Sequence, residues 1–347
     1  MTEPRFRWSA SPPPGFRELL ARDPNATPAH HPGVAHAFSV AQTGMSTRFL
    51  AIERGGRLCG SMAVVVQRRA SFHWIHALPA SLPGAPLSLE PDRAEVDLCA
   101  ARALEALAIE LGAVGGSWVC YRPVGPPVSD GALSRLGGET RRFEAAILSL
   151  ERGTEPLLQR MDRKTRKEMR QARERGLSVT QEPEALESAY ALYSAQARAW
   201  RAHRPLRLEL LRRLLRPIGG EWGDQAPARL FTVRDSRGLL AAVLALDGPR
   251  ETLLWWSGSH PDARASHAFP LLLWSVIEWA HEQGRARINL GASAGREAIL
   301  AFKDSLGAAP VRYPVRWLDA RHAHRVGRMV AALQARLRRG RPLGEPE

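Results

Sequence analysis

An internal repeat constrains the fold of this chain more than any other feature of its sequence. The segments RFLAIERGGRLCGSMAVVV (48–66) and RLFTVRDSRGLLAAVLALD (229–247) align at a constant offset of 181 residues. Each has an alternating apolar run, a turn that contains glycine and a second apolar run, which predicts a β-hairpin. A chain of 347 residues with one unit used twice is expected to form two similar domains, each with its own core.

The same order of elements continues after each hairpin. AEVDLCAARALEALAIELG (94–112) and ASHAFPLLLWSVIEWAHEQG (265–284) have helical apolar spacing and end at glycine. A strand, a helix and another strand follow in both halves. The order β-β-β-α-β-α-β is that of the GNAT acyltransferase fold. We therefore predict a mixed α/β fold of tandem, duplicated GNAT-like domains at 1–150 and 151–320, with a basic tail at 321–347.

Lysine is rare in this strongly basic chain. Of 49 basic residues only three are lysines, at positions 164, 167 and 303, and the formal net charge is +14. When Leu136-Gly137 is aligned with Leu306-Gly307, Lys303 falls opposite Leu133. One copy is apolar at this position and the other is charged, which indicates a division of labour between the halves. The alternative is a lysine that merely faces solvent.

A basic helix is predicted between the two halves, in LLQRMDRKTRKEMRQARERG (157–176). Its apolar residues fall at spacings of three and four, so one stripe can pack on a core. That stripe consists of Leu158, Met161, Thr165, Met169 and Ala172. The candidates for contacts with phosphate groups are Arg163, Lys164, Arg166, Lys167 and Arg170. The alternative is a solvated face with ion pairs between residues four apart, such as Lys164 and Glu168.

Three segments of the second half carry a family resemblance. They are DRKTRKEMRQARERGLSV (162–179), ASHAFPLLLWSVIEWAHEQGRARINLG (265–291) and AILAFKDSLGAAPVRYPV (298–315). Together, over roughly residues 155–318, they resemble the Fem-type aminoacyl-tRNA-dependent transferases and their acetyltransferase-like relatives. The resemblance implies transfer of an amino acid from its tRNA ester to an amine, such as one on a peptidoglycan precursor. It also implies that Phe302 and Lys303 lie at the catalytic centre, and that tRNA is a partner and co-substrate with no further cofactor.

The chemistry of amide formation gives these two residues their expected roles. Aminolysis passes through a tetrahedral oxyanion, which a fixed cation can stabilise. Lysine suits this task as a compact point charge on a flexible stem. The Phe302 carbonyl is expected to orient the attacking amine, as the family implies. The candidates on the acceptor side are Arg198, Arg201, His203, Trp256 and His267.

Two other functions stay open from the sequence. An acyl-CoA-dependent N-acetyltransferase has the same fold, but its glycine-rich pyrophosphate loop has no counterpart in SGSHPDARASHAFP (257–270). A non-catalytic module that binds RNA or another polyanion would also explain the charge. The basic helix at 321–342 is a candidate for contact with RNA or anionic membrane, with a solvated face as the alternative.

The cysteines and the apolar segments indicate where the protein is located. Three cysteines without CxxC spacing predict neither a disulfide framework nor a zinc site, and fit a reducing cytoplasm. The N-terminal segment has no apolar signal sequence, and no run reaches the roughly 18 apolar residues of a membrane span. The expectation is a cytoplasmic protein without a bound metal.

Overall fold

Both predicted halves of the repeat are present in the computed structural model, which describes residues 3–199, 205–293 and 295–319. The strands are β1 (Arg5–Ser9), β2 (Met45–Arg54), β3 (Arg57–Arg69), β4 (Phe72–His76), β5 (Leu87–Ser88), β6 (Gly115–Val119), β7 (Glu139–Ser149), β8 (Val179–Gln181), β9 (Ala228–Asp235), β10 (Gly238–Asp247), β11 (Glu251–Ser259), β12 (Arg287–Ala292) and β13 (Ala309–Leu318). The helices are α1 (Phe16–Arg22), α2 (Pro32–Ala41), α3 (Arg93–Leu111), α4 (Asp130–Arg135), α5 (Glu155–Arg160), α6 (Arg163–Glu174), α7 (Leu186–Ala199), α8 (Leu208–Leu214), α9 (Ala263–Ser266), α10 (Ala268–Glu282) and α11 (Glu297–Ser305). Single 3-10 turns lie at Pro28–His30, Pro183–Ala185 and Gly220–Trp222.

Two units make up the chain. Unit 1 holds Met1–Phe143 and the described part of Arg312–Glu347, and unit 2 holds Glu144–Val311. The strands of unit 1 follow the order β1-β2-β3-β4-β6-β13, with β5 beside β3, and those of unit 2 the order β7-β12-β11-β10-β9-β8. Each unit contains the predicted hairpin, β2 with β3 and β9 with β10. Each also has one parallel pair, β4 with β6 and β11 with β12.

The last strand of each repeat pairs outside its own repeat. Residues 145–149 of β7 pair antiparallel with β12 in unit 2, and residues 315–318 of β13 pair antiparallel with β6 in unit 1. Each sheet is thus completed by a strand that the chain order assigns to the other repeat. The domain boundaries at 150 and 320 remain a prediction, because the units follow strand pairing and not the repeat.

Each unit has a hydrophobic core of its own. In unit 1, Leu50, Met62 and Trp118 of the strands are buried together with Leu104 of α3. In unit 2, the core forms from strands β9 to β12 with α6 and α10. The three cysteines lie in the core of unit 1, and burial raises the pKa of Cys99 to about 11. A thiol with so high a pKa is a poor nucleophile at neutral pH.

No helix in the described part of the chain is long and apolar enough to cross a membrane.

A buried histidine fixes the N-terminal segment of unit 1. His30 is only 3% exposed, and its Nε2 donates to the Ala85 carbonyl at 2.8 Å. Its Nδ1 accepts the Thr27 N–H at 3.0 Å, so the ring is held neutral with the proton on Nε2. Burial lowers the pKa of His30 below its ordinary value of 6.5.

We expect the free energy of unfolding to fall as the pH drops below 6.5. In the unfolded chain His30 takes up a proton near pH 6.5, whereas the folded chain keeps the ring neutral to lower pH. The stabilisation is therefore complete above pH 6.5 and is lost below it, by about 1.4 kcal/mol per pH unit at most. Urea unfolding between pH 5 and pH 7.5 measures this slope.

The substitution His30→Gln should flatten that slope, because glutamine does not titrate. The matched control is His36→Gln at an exposed position on α2, which should leave the slope as in the wild type. An equal slope in His30→Gln and the wild type would contradict the assignment.

Candidate active site

Two parallel strands of unit 2 separate after a short paired stretch. β11 and β12 are in register only from Glu251 opposite Arg287 to Leu253 opposite Asn289. Beyond these residues no further pair joins the two strands in the described chain, although β11 continues to Ser259. β12 instead turns at Gly291, whose φ of 72° lies in the left-handed region that favours glycine. Past Leu253 and Asn289 the two strands are therefore no longer joined by ladder pairs.

Lys303 lies at the end of β12. Its side chain projects from α11, and only 7% of the residue is exposed. Nζ donates to the carbonyl oxygens of Gly291 and Ala292, each at 2.9 Å. The hypothesis of a solvent-facing lysine is therefore wrong. A buried ammonium is retained only where hydrogen bonds replace its hydration.

The matching position of unit 1 is also buried, but it is apolar. Leu133 on α4 is 2% exposed and belongs to the hydrophobic core. The two repeats thus place a core leucine and a buried ammonium at corresponding helix positions. We call the carbonyls of Gly291 and Ala292 that accept from this ammonium the cage. Both positions face inward, so drift of a surface residue does not explain the difference.

Phe302 holds α11 against the beginning of α10. Its ring centroid lies 5.9 Å from that of Phe269. Its carbonyl already accepts a hydrogen bond from Ser305 Oγ at 2.7 Å. A carbonyl has a second lone pair, so the expected role of this oxygen toward an amine stays a prediction.

The helix predicted over 157–176 is broken into α5 and α6, because Met161 and Asp162 have extended backbones. The predicted apolar residues are nevertheless all packed inward: Thr165, Met169 and Ala172 on α6 and Met161 before it are buried, and Leu158 of α5 packs at the edge of the same core. The side chains at 163, 164, 167 and 170 are exposed. Within the described residues, none of these four forms an ion pair. Arg166 is half-buried, and its Nε has no hydrogen-bond partner there.

The beginning of α6 is bound to the end of α11. The Asp162 N–H donates to the Ser305 carbonyl at 2.9 Å. Thr165 Oγ1 donates to Ser305 Oγ at 3.3 Å. Ser305 is two residues from Lys303, so the structure brings the basic helix and the caged lysine together in one unit.

A left-handed histidine separates α9 from α10, which the sequence predicted as one helix. His267 has φ 58° and ψ 27°. Its Nδ1 lies 4.0 Å from Glu168 Oε1 on α6. Few non-glycine residues adopt this conformation, and strain of this kind occurs most often at functional sites. The loop thus reaches its tight turn without the glycines of a typical pyrophosphate loop.

Two of the remaining acceptor-side candidates, Arg198 and Trp256, lie among the described residues. Arg198 is exposed on α7. Trp256 is only 6% exposed, and Tyr193 stacks on it at 4.8 Å. The ring is therefore a packing residue in this structure, and the neighbouring Trp255 is the half-buried one. Arg201 and His203 lie outside the described residues.

Sequence reasoning missed a buried polar group on the paired part of β11 and β12. Glu251, Arg287 and Asn289 are exposed by 0%, 7% and 3%. The signal available was an acidic, a basic and an amide residue within otherwise apolar strands. No cluster of potential metal ligands occurs among the described residues.

Comparison with known proteins defines the class. Residues 159–304 match the acetyltransferase (GNAT) domain family. This span begins just before α6 and ends just after Lys303. The protein is accordingly an acyltransferase with a tandem GNAT-type fold. No curated protein matches the sequence at a significant level.

Solved structures narrow the resemblance in fold. The chain is similar to the crystal structure of FemX, with a TM-score of 0.66 and 12% identity over 89% of this chain and 96% of that chain. It is also similar to a tandem GNAT protein from the clavulanic acid biosynthesis pathway, with a TM-score of 0.52 and 14% identity over 91% and 99%. A third similar structure is the C-terminal domain of a candidate lysylphosphatidylglycerol synthetase from Agrobacterium fabrum. Its TM-score is 0.53, with 13% identity over 93% of this chain and 96% of that chain. At these identities the likeness shows the fold alone.

The strain at position 267 can be measured with two substitutions. Both His267→Gly and His267→Ala remove the imidazole, so they differ mainly in their tolerance of a positive φ. We expect the free energy of unfolding of the glycine variant to be about 1 kcal/mol higher than that of the alanine variant. Chemical denaturation measures the difference. At an ordinary helical position the order is reversed, so an alanine variant of equal or greater stability would contradict the left-handed backbone.

Proposed function

We propose that this acyltransferase forms an amide bond by moving an aminoacyl group from aminoacyl-tRNA to an amine on a small acceptor. The observation that carries the proposal is the buried ammonium of Lys303, which lies where the pairing of β11 and β12 has ended and beside a basic helix with four exposed cations outside any ion pair of the described residues. The Fem-type resemblance of residues 155–318 and the FemX-like fold support the same chemistry. The acceptor belongs to a broad class that includes peptidoglycan precursors.

The reaction makes one bond and breaks one. The amine nitrogen attacks the ester carbonyl carbon and loses a proton, a C–N bond forms, and the C–O bond to the ribose breaks as that oxygen takes up a proton. Negative charge develops on the carbonyl oxygen between these events. The fixed positive charge of Lys303 stabilises this oxyanion, and such charges act most strongly where water is excluded.

The surface of α6 favours a polyanionic donor. Four exposed cations project from it without ion pairs in the described chain, and Arg166 adds a buried Nε–H donor that an anion would satisfy. Ser305 anchors this helix beside α11. A donor bound along α6 through its phosphates would thus lie close to Lys303. Phosphate groups spaced along RNA match such a row of charges better than one pyrophosphate does.

An acyl-CoA donor is the second candidate. It is favoured by the beginning of α10, because the unpaired N–H groups of a helix N-terminus can bind a pyrophosphate. One similar structure, that of the tandem GNAT protein from the clavulanic acid biosynthesis pathway, is of a form without AcCoA. Against it stand the missing glycines, the strained His267 and Pro270, which has no N–H to offer.

Other predictions from the sequence remain proposals. Arg198 remains a candidate for holding an anionic acceptor, and His267 for contacting it. We also propose a cytoplasmic location without a bound cofactor. The tail at 321–347, proposed for contact with RNA or anionic membrane, lies outside the described residues.

Removal of the ammonium should stop the chemistry. We expect Lys303→Ala to lower kcat for transfer from charged tRNA to an amine by about 10²–10³-fold, as for loss of one oxyanion donor. Lys303→Arg should also lose about tenfold or more, because a planar guanidinium does not fit the cage of two carbonyls. New amide products, identified by mass, give the rate.

The control for this experiment is Asp304→Ala, a neighbouring exposed position on α11, which should keep full activity. A parallel assay supplies acetyl-CoA. Turnover with acetyl-CoA and none with charged tRNA would transfer the proposal to the second candidate. Full activity in Lys303→Arg would contradict the proposed role of lysine, and RNA binding with no turnover of any donor would favour the non-catalytic module.

The basic helix should control the salt dependence of donor binding. In the triple variant Arg163→Gln, Lys167→Gln and Arg170→Gln, we expect weaker tRNA binding and a slope of log Kd against log salt that is smaller by about 2–3. Filter binding between 50 and 300 mM salt measures both. The matched control neutralises three exposed arginines of unit 1, at 5, 17 and 57. An equal loss in both triple variants would mean that net charge, and not α6, binds the RNA.

A further inference from the structure

A buried carboxylate lies on the paired part of β11 and β12, beneath the site. Glu251 has no exposed surface. Its Oε2 accepts Arg287 Nε at 2.7 Å, and its Oε1 accepts Asn289 Nδ2 at 3.1 Å. A carboxylate in the interior needs such partners to remain charged. Arg287 neutralises the charge of the carboxylate. The Asn289 amide is an additional partner, and its orientation has a separate consequence.

The direction of the Asn289 amide is set by its two neighbours. Because Nδ2 donates to the Glu251 carboxylate, Oδ1 must face the other way, and it accepts the Gly291 N–H at 2.8 Å. A flipped amide would place oxygen against carboxylate. The bond from Oδ1 to an N–H two residues ahead is an Asx turn, and it holds Gly291 at its φ of 72°.

The turn at Gly291 sets the direction of the two carbonyls that bind Lys303. The Gly291 N–H is bound by Asn289. The carbonyl oxygens of Gly291 and Ala292 both accept hydrogen bonds from Lys303 Nζ, each at 2.9 Å. A continuous series of hydrogen bonds therefore runs from the Glu251 carboxylate through Asn289 and Gly291 to the ammonium. Every side chain in this series is at least nine-tenths buried.

Unit 1 lacks this series. In the alignment that places Leu133 opposite Lys303, Asn289 falls on Val119 and Arg287 on Ser117. Ser117 pairs with His76, whose Nδ1 lies 2.9 Å from Ser117 Oγ. Unit 1 also has Leu133 in place of the lysine. The carboxylate and the ammonium thus occur together, in the same repeat.

We propose that Glu251 and Asn289 are positioning residues for Lys303: the carboxylate orients the amide, the amide sets the turn, and the turn holds the ammonium in place. The consequence for catalysis rests on the proposed function of Lys303. The holding of the ammonium does not, and it can be tested without any substrate.

Chemical labelling tests the holding directly. The chain has three lysines, so an amine-acylating reagent followed by peptide mass analysis resolves each one. In the wild type Lys303 should react most slowly, with the exposed Lys164 and Lys167 as internal references. In Asn289→Ala, and to a smaller degree in Glu251→Gln, the rate at Lys303 should rise about fivefold or more while the references stay constant.

A matched control separates this effect from general loosening. Asp247 and Arg285 form another partly buried pair in unit 2, at 2.8 and 2.9 Å, outside the series. Asp247→Asn should lower stability without changing the labelling of Lys303. If Asn289→Ala does not fold, Glu251→Gln keeps the shape of the side chain and provides the comparison. Equal labelling of Lys303 in the folded variants and the wild type would overturn the proposal.

A double-mutant cycle tests the catalytic consequence. Asn289→Ala should lower kcat by about tenfold with KM for charged tRNA little changed, and should have no further effect on kcat in a Lys303→Ala background. A residue with only a structural role would lower kcat in both backgrounds, and that additive result would overturn the positioning role. If labelling responds as expected but the wild type transfers nothing from charged tRNA, the holding is supported and the proposed function fails.

Discussion

The cage of two backbone carbonyls around the Lys303 ammonium is the interaction on which the site in unit 2 depends. Removing an ammonium from water costs several kcal/mol even after relaxation, and here backbone oxygens at 2.9 Å replace the lost hydration. In the proposed reaction the charge is in place before a substrate arrives, so no dipoles have to reorient as an oxyanion forms. That nitrogen is held in place by the turn at Gly291 and by the position of α11, at the point where the two strands separate.

The duplicated repeat separates what the fold needs from what the site needs. Unit 1 has the same order of elements, but a core leucine, Leu133, takes the place of the lysine. The fold therefore tolerates an apolar side chain at this helix position, and the charge in unit 2 adds a desolvation cost that packing does not require. Glu251 and Asn289 occur with Lys303 in unit 2, whereas unit 1 buries other polar groups, such as the ion pair of Asp97 and Arg122.

Most of the fold was predictable because its signals are local. Alternating apolar residues, glycine turns and helical stripes specify hairpins and helices within a few residues, and these predictions are confirmed. The exchange of β7 and β13 was not predictable in this way, since strand pairing depends on residues more than a hundred positions apart. Local periodicity also missed the break at His267, where a helical pattern continues through a left-handed residue. For the site, the alignment of Lys303 with Leu133 identified the position, but not the carbonyls that hold it.

The shape of the cage explains why the position holds lysine in a chain with 46 arginines. Two carbonyl oxygens converge on a single nitrogen, and an ammonium concentrates three donors on that one atom. A guanidinium spreads five donors over a plane, so in a site that is 7% exposed some of them would face apolar surroundings without partners. The geometry of this position therefore favours lysine, although the rest of the chain uses arginine almost exclusively. The same argument makes the carbonyl directions, and hence the turn that sets them, as important to the site as the charge itself.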